Sequence, residues 1–282
     1  MKHPTDTRPR KSGLRASAAF TLIELLTVIS IIGILAGLLL PAIASAKLTA
    51  QKKKAQLEAG QIAQAIQAYE SDYSKFPVSS AGNANATSAA GAVSTASGGP
   101  EDYTYGVDFL VSKGLTLPPA LQTLYGNYLT NNSEVMAVLL DVEHWPATPL
   151  VPTINAGHVK NPKSTKYLNA AMTTDTNSPG VGPDGVYRDP WGDPYIITID
   201  LNYDDKARDV FYRLQKVSQN SGTAGLNGLM NVHMPPNPAD GNSDFFELNS
   251  PVMVWSAGPD KMIDPTSKAN AGANKDNILS WK

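Results

Sequence analysis

The hydrophobic pattern divides the chain near residue 47. From Leu25 to Ala46 no charged residue occurs, and about twenty such residues are enough to cross a bilayer as a helix. After Lys47 the apolar positions thin out and become periodic. Ala55, Ala59, Ile62, Ile66, Tyr69, Tyr73 and Phe76 recur at spacings of four and three, which places them on one helical face. The spacing predicts a helix to about Lys75, ended by Pro77, because the residue before a proline disfavours helical geometry. Counted from Phe20, such a helix is about 80 Å long at about 1.5 Å per residue. Its first half is apolar all round and faces lipid or other helices; its second half is amphipathic and packs on a domain.

Ser79 to Pro100 is mostly Ser, Ala, Gly and Asn, too poor in bulky apolar residues to bury much, and is expected to be a mobile loop. Short helical patterns follow between Tyr103 and His144: Val107, Leu110 and Val111; Leu121 and Leu124; then Val135, Met136, Leu139 and Leu140, with Asn132 or Ser133 placed to cap the last. Pro146 to Pro183 reads as loop. Strand signals come late, at Tyr195–Ile199 and Val252–Trp255, while Val210–Leu214 fits strand or helix. The simplest core that uses these segments is a small antiparallel sheet packed on the helix face from Ile62 to Phe76. The fold class is therefore α+β, with a loop-rich helical insertion between helix and sheet.

Charge adds a direction. The whole chain carries −2, but the first nineteen residues hold Lys2, Arg8, Arg10, Lys11 and Arg15 against Asp6, a local 5 − 1 = +4, leaving −2 − 4 = −6 beyond. Basic residues before a span are retained in the cytoplasm, which puts the chain after Lys47 on the other side. Lys47, Lys52, Lys53 and Lys54 follow the span and read as a solvated or lipid-headgroup-facing surface. The net charge gives no reason to expect nucleic acid as a partner.

With no cysteine, disulfides, thiolate metal sites and a cysteine nucleophile are excluded, and an exported domain must be held by core packing or by a metal bound through oxygen. His3, His144, His158 and His233 lack a second ligand at metal-binding spacing. No phosphate loop or G-x-S-x-G elbow occurs, so an enzyme is not expected. Asp200-Leu201-Asn202-Tyr203-Asp204 begins like a calcium loop. Asp205 takes the place of the needed Gly and Phe211 that of the closing Glu, so it reads as a polar turn.

Glu24 sits at the edge of the apolar run, where an unpaired carboxylate is costly and usually functional. A cut between Ala19 and Phe20 would set a new amino group one helical turn from Glu24, or beside the Glu24 of a neighbouring helix. Ala19-Phe20-Thr21-Leu22-Ile23-Glu24-Leu25-Leu26, followed by an apolar run with Gly33 and Pro41, closely resembles the cleavage and methylation motif of type IV prepilins. The resemblance implies that a prepilin peptidase removes the leader, residues 1–19, and methylates Phe20, and that Glu24 supports packing into a helical filament. The family usually has Gly before the cut, where Ala19 stands here. Gly33 and Pro41 are weak points of the helix, either tolerated by the membrane or used for filament flexibility.

Asp189-Pro190-Trp191-Gly192-Asp193-Pro194-Tyr195 and Trp255-Ser256-Ala257-Gly258-Pro259-Asp260, with Asp276-Asn277-Ile278 and Trp281, resemble the C-terminal region of the major pseudopilin of type II secretion systems. The two resemblances together cover residues 19–77 and 186–281. The pseudopilin resemblance implies a calcium ion bound by the last loop, with Asp260 and Asp276 as carboxylate ligands and Asp264 added in a longer loop. Calcium takes six to eight oxygens; the alternative is that Gly258-Pro259-Asp260 is a plain turn.

The expected organisation is a basic leader (1–19), a transmembrane and assembly half-helix (20–46), an amphipathic half-helix (47–77), an inserted region of loops and short helices (78–182), and a C-terminal sheet with the calcium loop (183–282). The expected role is a structural subunit of a periplasmic pseudopilus. It would start as a single-pass inner-membrane protein with a cytoplasmic N-terminus and a periplasmic domain. Its partners would be copies of itself, other pseudopilins, prepilin peptidase, an inner-membrane assembly platform and membrane lipid. Two rivals remain: a surface type IV pilin for adhesion, motility or DNA uptake, and a soluble exported binding protein cleaved after Ala46, because Ala44-Ser45-Ala46 also fits a signal-peptide site.

Overall fold

A single helix, α1 (Leu22–Tyr73), carries both halves of the N-terminal pattern in the computed structural model, which describes residues 21–84, 102–117, 131–146, 150–231 and 244–282. The helix passes through Pro41. It stops at Ser74, whose φ of 52° is left-handed, slightly ahead of the end expected at Lys75. The chain separates into two units, residues 1–47 and 48–282. In the first, the large apolar side chains from Leu22 to Ile43 are exposed. In the second, α1 buries Ala55, Ala59, Ile62, Ala65, Ile66 and Tyr69, the face that the four-and-three spacing selects, with Ala65 added.

The second unit continues with β1 (Tyr103–Tyr105), α2 (Val107–Ser112), α3 (Ser133–Leu139), β2 (His144–Trp145), β3 (Val151–Pro152), β4 (Gly180–Val181), β5 (Tyr187–Arg188) and β6 (Ile196–Ile199). Then come α4 (Gln215–Ser218), β7 (Gln219–Ser221), β8 (Ala224–Gly225), β9 (Met230–Asn231), β10 (Phe246–Glu247), β11 (Val252–Ser256) and β12 (Ile278–Leu279). The central sheet has the order β1-β6-β11-β12. It is antiparallel throughout, with Tyr103 opposite Ile199, Val252 opposite Ile199 and Trp255 opposite Leu279. A second sheet runs β10-β9-β8-β7, and β2–β3 and β4–β5 are separate hairpins.

The two predicted strands are the two inner strands of the central sheet. All four residues of β6 and all five of β11 are buried, which is why their sequences are apolar runs rather than alternations. Val210–Leu214 is neither strand nor helix. It folds as turns around Asp209, a buried carboxylate that accepts the amides of Phe211 and Tyr212 at 2.9 and 2.8 Å. Ile62, Ile66 and Tyr69 of α1 share one core with Tyr103, Tyr105, Ile197 and Trp255. The fold is thus α+β, a long N-terminal helix followed by antiparallel sheets, consistent with a pilin-like fold.

The stretch expected as an insertion takes part in this core: β1 forms an edge of the central sheet and every residue of α3 is buried. Asn132 stands at the N-cap position of α3, but its side chain makes no capping bond. The buried amide instead donates to the carbonyls of Tyr187 (3.0 Å) and Tyr195 (2.8 Å) and accepts the Tyr187 amide (2.9 Å), joining β5 to the start of β6. Leu121 and Leu124, and residues 85–100 of the expected loop, lie outside the described residues.

Candidate functional site

The first turn of α1 is held by a reciprocal pair. The Thr21 amide and hydroxyl donate to Glu24 Oε2 at 2.8 and 2.7 Å, while the Glu24 amide donates to Thr21 Oγ1 at 3.3 Å. This is a capping box, in which residues Ncap and N3 satisfy each other's free amides. Glu24 is therefore directed back toward the N-terminal end of the helix. Thr21 was not singled out in the sequence, although Thr21-Leu22-Ile23-Glu24 has the T-x-x-E signature of such a box. Further along, Thr27 donates to the Ile23 and Glu24 carbonyls at 3.1 and 2.9 Å and Ser30 to the Leu26 carbonyl at 2.8 Å, so the hydroxyls of this apolar stretch are satisfied within the helix.

Gly33 and Pro41 both lie inside α1; a Cβ on Gly33 would meet nothing within 4 Å. Pro41 lacks the N–H that would bond the Gly37 carbonyl. Ala44-Ser45-Ala46 is helical as well. The most apolar stretch of α1 has a mean hydropathy of 2.5 and no buried residue, so this helix is long and apolar enough to span a membrane.

Residues 14–40 match the prokaryotic N-terminal methylation motif. The match takes in Ala19, Phe20 and Glu24; Ala19 and Phe20 lie outside the described residues. No curated protein and no solved structure matches the chain. The motif is a type IV pilin-like signal, and it suggests processing by prepilin peptidase and assembly into pilin-type filaments, a structural rather than an enzymatic role. The match ends at residue 40 and does not reach the second unit.

In that second unit, the two late sequence blocks come together. Asp189 is buried, and its Oδ1 accepts the amides of Trp191 (2.8 Å) and Asp193 (3.0 Å) while the Ser256 hydroxyl donates to Oδ2. Burial pushes the Asp189 carboxyl up to about 6 against those hydrogen bonds. The Lys261 ammonium donates to the Trp191 carbonyl. Gly192 makes the tight turn, with φ +92° and a position for Cβ only 2.3 Å from the Asn177 carbonyl oxygen, so no side chain fits. α1 meets the same region, because Gln51 donates to the Pro190 carbonyl at 3.3 Å and Gln56 to the Lys282 carbonyl at 2.9 Å. Nothing in the sequence marked these glutamines.

The candidate calcium residues separate into two groups. A Cβ on Gly258 would lie 2.3 Å from the Asp276 carbonyl oxygen, so the backbone before Asp260 packs against that of Asp276. Asp276 Oδ1 and Asn277 Oδ1 are buried and have no hydrogen-bond partner. Burial, then the like charge of Asp260, raises the Asp276 carboxyl above its usual value, with Lys52 and Lys275 opposing. Two orphaned oxygens beside a second carboxylate fit a hard cation. Among the described residues no three His, Asp or Glu side chains form a metal cluster, so the remaining ligands would be amide, backbone or water oxygens.

Asp264 is engaged otherwise. Its oxygens accept the Thr266 amide and hydroxyl (2.8 and 2.6 Å) and the Ser267 hydroxyl (2.5 Å), which hold its carboxyl down to about 2. Asp200 accepts the amides of Tyr203 (2.6 Å) and Asp205 (2.8 Å), as a polar turn does.

Proposed function

We propose that this chain is a structural subunit of a periplasmic pseudopilus of a type II secretion system, assembled after cleavage of the leader before Phe20 and N-methylation. The observation that carries the reading is Glu24, held by Thr21 at the head of a helix whose apolar first half is unburied within the chain. In lipid such a surface is at rest; in a bundle of like helices it becomes the core. A carboxylate at the end of the helix then selects register, because the amine of Phe20 on a neighbour is the complementary charge. Membrane insertion needs only the apolar run, whereas incorporation needs Glu24.

The same motif also serves surface pilins. The secretion reading is favoured by the contact between the 189–195 and 255–260 blocks, the segments that resemble the major pseudopilin. Asp260, Asp276 and Asn277 would hold calcium there, and the ion would neutralise the carboxylates and brace the last loop. Inner-membrane residence with a periplasmic domain, and contacts with an assembly platform and other pseudopilins, follow from this reading.

The test is Glu24→Ala in cells that assemble the filament. The variant is expected in the membrane fraction at wild-type level and absent from sheared filaments. Normal incorporation would sink the pairing, and long extracellular fibres of the wild-type protein would favour the surface pilin.

A further inference from the structure

The loop from Thr153 to Lys163 folds back on the connection between α3 and β2, and one imidazole is clasped there by two carboxylates. His158 Nδ1 lies 2.8 Å from Asp141 Oδ1, and Nε2 lies 3.4 Å from Glu143 Oε1. The Gly157 amide donates to the other Glu143 oxygen at 2.7 Å. Asp141, Gly157 and His158 all have left-handed φ, at 56°, 67° and 53°. For Asp141 and His158 that conformation is unfavourable unless contacts offset it.

The clasp is joined to α1. Asp141 Oδ1 also accepts the side-chain amide of Asn155 at 3.0 Å, and Asn155 Oδ1 accepts the Asn161 backbone amide at 2.9 Å. Asn161 Oδ1 in turn accepts the Tyr73 hydroxyl at 3.0 Å, and the Tyr69 hydroxyl donates to the Lys160 carbonyl at 2.6 Å. Asn155 and Asn161 are fully buried. A chain of hydrogen bonds thus runs from a partly exposed histidine to the last turn of α1.

We propose that His158 is a pH-sensitive latch, which fastens residues 153–163 to the end of α1 in acid and loosens them above neutrality. Both ring nitrogens face carboxylate oxygens, and only the imidazolium has two N–H donors. Loss of a proton leaves a lone pair against either Asp141 or Glu143. These two are the charged groups that face the ring. Lys160 and Lys163 turn to the Val78 carbonyl (2.8 Å) and to Asp72 (3.2 Å), and among the described residues no other charged side chain pairs with His158. The hydrogen bond to Asp141, then the charges of Asp141 and Glu143, raise the His158 pKa above 6.5, with partial desolvation opposing. A raised histidine contributes its full stabilisation below the unfolded value and loses it as pH rises through the folded one. Histidine is the side chain that makes such a change near neutrality.

Hydrogen exchange of the full chain in detergent, at pH 6 and pH 8 with labelling times scaled for intrinsic rates, tests the latch. Wild-type protection over residues 153–163 should be about threefold or more higher at pH 6, and His158→Gln should show low protection with no pH dependence. Equal protection at both pH values in the wild type, or the same drop in the variant, overturns the proposal. If the variant does not fold, titration of the wild-type His158 ring protons by NMR decides: a midpoint above 6.5 supports the latch and one at or below 6.5 refutes it.

Discussion

Replacing Asp189 with asparagine changes one charge and leaves the shape of the loop alone. Asp189 accepts two backbone amides through Oδ1 and one hydroxyl through Oδ2. The Asn oxygen can keep both amides, and its NH2 can donate to Ser256 Oγ. Burial raises the carboxyl from 3.8 to about 6, so the folded state holds this proton more tightly than the unfolded state. The contribution of Asp189 is therefore most favourable below the unfolded value and declines as pH rises from about 4 to about 6. About two pKa units at about 1.4 kcal/mol each give a penalty of at most about 3 kcal/mol above pH 6. Asp189→Asn is expected to match the wild type near pH 4 and to exceed it by up to about 3 kcal/mol at pH 7.5. Urea unfolding of the detergent-solubilised chain, followed by tryptophan fluorescence between pH 4 and 7.5, measures the difference. A difference that does not change with pH, or a variant less stable than wild type at pH 7.5, would refute the assignment of a buried, charge-penalised carboxyl.

Two further outcomes follow from packing and from the last loop. Ile66→Ala removes a fully buried side chain from the face of α1 that meets the sheet, and should lower stability by about 2–5 kcal/mol in the same urea assay with the slope unchanged. Calcium should raise the thermal midpoint of the wild-type domain, and Asp260→Ala should remove that rise; a midpoint insensitive to calcium and chelator would leave Gly258-Pro259-Asp260 as a turn only.

What could be read from the sequence was what is encoded within a few turns. The face from Ala55 to Tyr69 is periodic, so its burial was legible. β6 and β11 are apolar runs bounded by turn residues, and both appeared as strands. β1 was hidden because Tyr103-Thr104-Tyr105 is too short to show alternation and its partner, Ile197–Ile199, is remote in sequence. α3 lacks a polar face, since all seven of its residues are buried, so only its existence could be inferred. Asn132 has the residue type and position of a cap, yet its amide serves Tyr187 and Tyr195, which only the fold brings near. At the site, Glu24 was evident from its cost in an apolar run. The restraint of Asp189 by Ser256 depends on a contact that no local pattern encodes.

The connectivity of the central sheet also sets an order of events. α1 forms from contacts within each turn, whereas Tyr103 must find Ile199, Val252 must find the same residue, and Trp255 must find Leu279. Closing such long loops is slow compared with helix formation. α1 can thus be complete while the central sheet still lacks its last strand, and until residues 278 and 279 pair with β11 that strand keeps an open edge.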